Sequence, residues 1–164
     1  MKNLIFLLLV SILVFSCNSN DDNQGNNSFY NYARGVQFRV SSTSGIDLLN
    51  PNNTGAYLEE NIKTYNLIDG EVVEAYYANA TNPRGFSITS PKDSGDDKYR
   101  INVHVYNPEL ENVVTYIEWN ETDTDTIKSN SVANGNSLVL TQAWYNNSLL
   151  IDESTENLPE IIKN

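Results

Sequence analysis

From residue 36 onward the chain alternates apolar and polar positions in short runs. Val36, Phe38 and Val40 interleave with Gln37, Arg39 and Ser41; Ile101, Val103 and Val105 with Asn102, His104 and Tyr106; Val113, Thr115, Ile117 and Trp119 with Val114, Tyr116 and Glu118. A period of two puts alternate side chains on opposite faces of an extended strand, so each run predicts a strand with one buried face. Weaker runs predict strands over 62–67, 71–77, 85–90, 126–132, 138–145 and 149–152. Turn-forming residues separate them: Asp69-Gly70, the stretch 91–97, Asn107-Pro108, Asn134-Gly135-Asn136 and Asn146-Asn147. A helical turn or two over 56–61 is all the helix the pattern predicts. Short strands without the crossover helices of a parallel sheet predict an all-β fold. The expectation is an antiparallel β-sandwich of about nine strands, immunoglobulin-like or related.

The runs at 100–106 and 114–119 follow one another across 107–112 and are expected to pair as a hairpin. Keeping both apolar sets on one face sets Ile101 opposite Trp119, Asn102 opposite Glu118 and His104 opposite Tyr116. The outer face would then gather Asn102, His104, Tyr106, Tyr116 and Glu118. Aromatic area ringed by hydrogen-bonding groups is the composition of a sugar or peptide platform, and these five are the candidate ligand-binding residues.

The N-terminus has a different texture. Lys2 precedes an unbroken apolar stretch, residues 4–15, too short for the roughly 20 residues of a membrane-spanning helix but of the length of a secretory leader. Val14-Phe15-Ser16-Cys17 resembles the lipobox of bacterial lipoproteins, in which a cysteine after a small residue is lipidated and becomes the mature N-terminus. The resemblance implies a signal peptide over 1–16, lipidation of Cys17 and attachment to a membrane. It also accounts for a single cysteine in an exported chain, which would otherwise be a free thiol. Asn18-Ser19-Asn20-Asp21-Asp22 resembles the acidic tag that Bacteroidota lipoproteins carry behind that cysteine, implying the outer membrane and its exterior face. Residues 17–28 form a polar tether, 29–155 the sandwich domain and 156–164 a C-terminal tail. The segments 46–51, 82–86, 119–127 and 144–146 are similar to those of small Bacteroidota lipoproteins with no assigned activity, which implies an address and a fold and no chemistry.

Charge and inventory narrow the function. The net charge is −11 and the basic residues are scattered singly, so nucleic acid is not an expected partner. With one histidine, His104, and one cysteine committed to lipid, nucleophilic catalysis and transition-metal sites lack their usual groups. Glu59, Glu60, Glu71, Glu74, Glu118 and Asp123 supply carboxylates for a glycoside hydrolase, but nothing in their spacing brings two together, and solvated acids are the expectation. Asn120, Asp123 and Asp125 alternate as calcium ligands do; they lack the glycine and distal glutamate of an EF-hand and are read as turn formers, as are Asp93, Asp96 and Asp97. Asp125-Thr126-Ile127 resembles the Asp-Thr-aliphatic site of Bacteroidota O-glycosylation, which would place a glycan on Thr126. No cofactor is expected. The reading is a non-enzymatic lipoprotein whose domain binds a glycan, a peptide or an envelope-complex partner, with a small carboxylate hydrolase or a structural adhesion subunit as alternatives.

Overall fold

The computed structural model describes residues 35–105, 110–134 and 137–164. The leader, Cys17, the tether and Tyr106 lie outside the described residues. The chain runs through β1 (Gly35–Ser42), β2 (Lys63–Ile68), β3 (Glu71–Glu74), β4 (Phe86–Thr89), α1 (Pro91–Ser94), β5 (Arg100–His104), β6 (Val113–Asn120), β7 (Asp123–Asn134), β8 (Ser137–Tyr145), β9 (Ser148–Ile151) and β10 (Glu160–Lys163). One sheet has the order β10-β1-β5-β4 and the other β3-β2-β6-β7-β8-β9. All pairings are antiparallel except β1 with β10. The fold is an all-β sandwich.

Alternation builds the core. Val36, Phe38 and Val40 from β1, Ile101 and Val103 from β5, Ile117 and Trp119 from β6 and Ile127 from β7 are fully buried and meet between the sheets. The Phe38 ring stands edge-on to Trp119 at 6.4 Å and to Tyr145 at 5.6 Å, tying the two layers together. Two hairpins follow their turn residues. Asp69 and Gly70 take φ of 51° and 84° between β2 and β3, and Asn146 and Asn147 take 47° and 68° between β8 and β9. Paired positive φ is the geometry whose twist matches the flanking strands.

Three expectations are corrected. β5 and β6 do not form a hairpin: β5 lies between β1 and β4, while β6 lies between β2 and β7 in the opposite sheet. Ile101 and Trp119 therefore sit in facing layers instead of adjacent strands. Residues 59–61 form a turn and 56–58 are irregular, and the helical turn is α1, started by Ser90 Oγ accepting from Asp93 N at 3.3 Å and closed by Gly95 at φ 73°. Finally, the segment 156–164 is no free tail, because it contains β10, which extends the four-stranded sheet beside β1 with Val40 opposite Ile161.

Candidate functional site

A cleft of about 910 Å³ opens at one end of the sandwich between β10, the β6–β7 turn and the β8–β9 turn. Its wall is a buried charge cluster. Lys163, from β10, places Nζ 2.7 Å from Asp123 Oδ1 and in contact with Asp125 Oδ2. Asp125 Oδ2 also accepts from Trp119 Nε1 at 2.7 Å and from the Tyr145 hydroxyl, while Oδ1 accepts from Asn146 Nδ2 at 2.5 Å. The Tyr57 hydroxyl donates to Asp123 Oδ2 at 2.7 Å, and its ring leans on Trp119 at 4.9 Å.

The electrostatics follow from that packing. Burial alone would raise the Asp125 carboxyl, but hydrogen bonds from Lys163, Tyr145, Asn146 and Trp119 outweigh it and hold the group below its ordinary value. Burial, and then the Asp125 carboxylate, push the Tyr145 phenol far above its ordinary range. Burial and Asp123 do the same to Tyr57. The carboxylate oxygens read from sequence as calcium ligands or turn formers thus serve the chain's own ammonium group. Of the three, only Asn120 works as a turn former, with Oδ1 accepting from Thr122 N at 2.9 Å. The second acidic loop is alike: Asp96 meets Arg39 Nη2 at 2.5 Å and Asp97 meets Nη1 at 3.5 Å. Among the described residues no group of three or more His, Cys, Asp or Glu side chains converges to hold a metal.

The expected platform is split because β5 and β6 belong to different sheets, and its fifth member, Tyr106, lies outside the described residues. Tyr116 and Glu118 face outward on the six-stranded sheet, whereas Asn102 and His104 face outward on the four-stranded sheet. On the six-stranded face the structure supplies partners the sequence did not indicate. Tyr65 lies directly across from Tyr116, and Lys63 from Glu118. The Tyr65 hydroxyl donates to Glu118 Oε2 at 3.1 Å, and Lys63 Nζ lies 3.5 Å from Oε1. A second cleft of about 480 Å³ adjoins this group, lined by Glu60, Asn61, Lys63, Glu118, Asn120 and Glu121. Further along the same face Lys128 Nζ sits 5.8 Å over the Trp144 ring. Thr126 is half-buried in β7, with its backbone N–H donating to Asn146 Oδ1 at 2.9 Å.

The four-stranded face is polar and poorly compensated. Gln37 lies opposite Asn102, and Gln37 Oε1, Asn102 Oδ1, Arg39 Nε and Arg100 Nε are shielded from water with no hydrogen-bond partner among the described residues. His104, at the end of this face, is held below its ordinary pKa by burial. Of the other carboxylates, Glu59 pairs with Arg84 at 3.2 Å, Glu60 lines the second cleft with Glu118, and Glu71 and Glu74 stand exposed on β3. No protein-family model, curated protein or solved structure matches the chain, so the functional reading rests on its own residues.

Proposed function

We propose that the chain is a lipid-anchored lipoprotein, attached through Cys17 to the outer membrane and facing the cell exterior, and that its sandwich is a glycan-binding module. The observation that carries the binding role is the cross-strand pair Tyr65–Tyr116 beside Glu118 and a cleft lined by Asn61, Asn120 and Lys63. Flat aromatic surface takes the apolar face of a sugar ring, while carboxylate and amide groups at its edge accept and donate to hydroxyls. The anchor rests on the lipobox resemblance and on the polar tether between residue 17 and the domain.

A binding role suits this chemistry better than hydrolysis. Glycoside hydrolysis needs two carboxyl groups flanking one bond, at about 5–5.5 Å or 6.5–9.5 Å. Here Asp123 and Asp125 share an ion pair with Lys163, and Glu118 is bonded to Tyr65 and Lys63.

The test has two arms. Cys17→Ala should move the chain from the outer-membrane fraction to the soluble fraction, and unchanged fractionation removes the anchor from the proposal. In a glycan-library screen of the full chain, Tyr116→Leu and Glu118→Gln should each abolish binding while leaving the melting temperature within a few degrees. Binding that survives both substitutions, or peptides captured in place of glycans, overturns the glycan reading.

A further inference from the structure

β3 is an edge of the six-stranded sheet, paired through β2 alone. All four of its residues are exposed, and the hairpin carries apolar surface into solvent: Val72 is 59% exposed, Val73 44%, Leu67 38% and nearby Tyr76 65%. Leu67 lies opposite Val72 on one face, while Val73 stands on the other. The direction of the free backbone groups is fixed by register. Ala75 N donates to Thr64 O at 2.8 Å, so the hydrogen-bonding positions toward β2 are 75, 73 and 71. Val72 and Glu74 therefore turn their N–H and C=O groups away from the sheet.

An exposed strand edge with apolar side chains is a template for another strand, and proteins control which strand it accepts. Glu71 and Glu74 bracket the two valines, and neither makes an ion pair among the described residues. Pairing two copies through β3 would gather four glutamates along one seam, within a pair of chains of net charge −11 each. The edge rejects itself and is complementary to a cation-bearing strand.

We propose that the β3 edge docks an extended segment of a partner protein in which two basic residues flank an apolar pair. The segment adds a seventh strand through the outward groups of Val72 and Glu74. Its apolar residues cover Val72 and Val73, and its basic residues meet Glu71 and Glu74. The pattern reads the same in both directions, so charge sets the register and leaves strand direction to flanking contacts.

The probe is a blocked, fluorescently labelled octapeptide, Ser-Gly-Lys-Val-Val-Lys-Gly-Ser, titrated by anisotropy into the full chain. A control peptide carries Glu in place of both Lys. The basic peptide should bind and the acidic one should not. The double variant Glu71→Lys/Glu74→Lys should reverse that preference, each change being about tenfold for two exposed ion pairs. Val72→Pro removes an outward N–H that has no partner in the free protein, so it should weaken the basic peptide about tenfold and leave the melting temperature unchanged. Equal binding of both peptides, or full binding by Val72→Pro, overturns strand addition. Self-association of the wild-type chain through β3 overturns the choice of partner.

Discussion

Lys163→Met tests whether the charge cluster at the sandwich end is the clamp that its geometry describes. The Lys163 side chain is 13% exposed and that of Asp125 7%, so removing the ammonium strands a carboxylate in a site that water barely reaches. Breaking a buried ion pair from one side costs about 3–5 kcal/mol. Trp119, Tyr145 and Asn146 still donate to Asp125, which places the expected loss near the lower end, about 3 kcal/mol. For a domain of this size that is a fall of about 10 °C in melting temperature. Lys98→Met is the control. It cuts the other ion pair that ties β10 to the sandwich, Lys98–Glu160 at 2.5 Å, whose side chains are 25% and 32% exposed, and should cost no more than about 1 kcal/mol. Acidification separates charge from packing. In the wild type the depressed Asp125 pKa supplies stability present above the unfolded value of about 3.9 and lost as pH falls through the folded value. In Lys163→Met burial acts with less opposition and raises that pKa, so protonation relieves the stranded charge. The deficit relative to wild type, measured by urea unfolding, should therefore shrink between about pH 7 and about pH 4. Equal losses for the two lysine variants, or a deficit independent of pH, would refute the argument.

Gln37→Met and Asn102→Leu replace unpartnered buried polar atoms with apolar groups of similar shape; each should leave stability unchanged or raise it by up to about 1 kcal/mol, and a clear loss in chemical denaturation would mean those atoms are satisfied. Burial holds His104 below its ordinary pKa, so the unfolded chain binds the extra proton. Stability should then fall as pH drops through about 6.5, and His104→Gln should flatten that fall; matching slopes would exclude His104 as the cause. Millimolar calcium should leave the wild-type melting temperature within about 1 °C, since a ligand of the native state must raise it. A larger rise that Asp123→Asn abolishes would return a cation to the acidic turn.

How far the sequence reaches depends on what period two encodes. Alternation states which side chains are buried, and Val36, Phe38, Ile101, Val103, Thr115, Ile117 and Trp119 are all buried as predicted. It does not state which strands are neighbours, because a strand buries the same face whether its partner lies beside it or across the core. That ambiguity produced the expected β5–β6 hairpin and divided the candidate platform. β10 was illegible for a different reason: Ile161 and Ile162 are adjacent, and a four-residue edge strand has no room for a pattern. The Asp125 site did leave a trace. Asp125 is in phase with Ile127 and Ser129 on the inner face of β7, and a carboxylate in a core phase requires a buried donor. Only its partner, Lys163, 38 residues away, had no local signature.

The distribution of satisfied and unsatisfied polar groups separates scaffold from surface. At the sandwich end, an ammonium, two carboxylates, two phenols and an indole answer one another across β6, β7, β8 and β10, so that region is rigid and offers a ligand few free groups. Breaking this network costs several kcal/mol, which is a large share of a domain's net stability. A scaffold held this way tolerates less favourable arrangements elsewhere: buried atoms with no partner among the described residues (Gln37 Oε1, Asn102 Oδ1, Arg39 Nε and Arg100 Nε), and an edge strand that leaves Val72 and Val73 in water. The buried unpartnered atoms lower stability, while the exposed apolar edge becomes favourable when another molecule covers it. Recognition is therefore expected on the Tyr65–Tyr116 face and the β3 edge, while the charge cluster in the wall of the 910 Å³ cleft holds β10 in place.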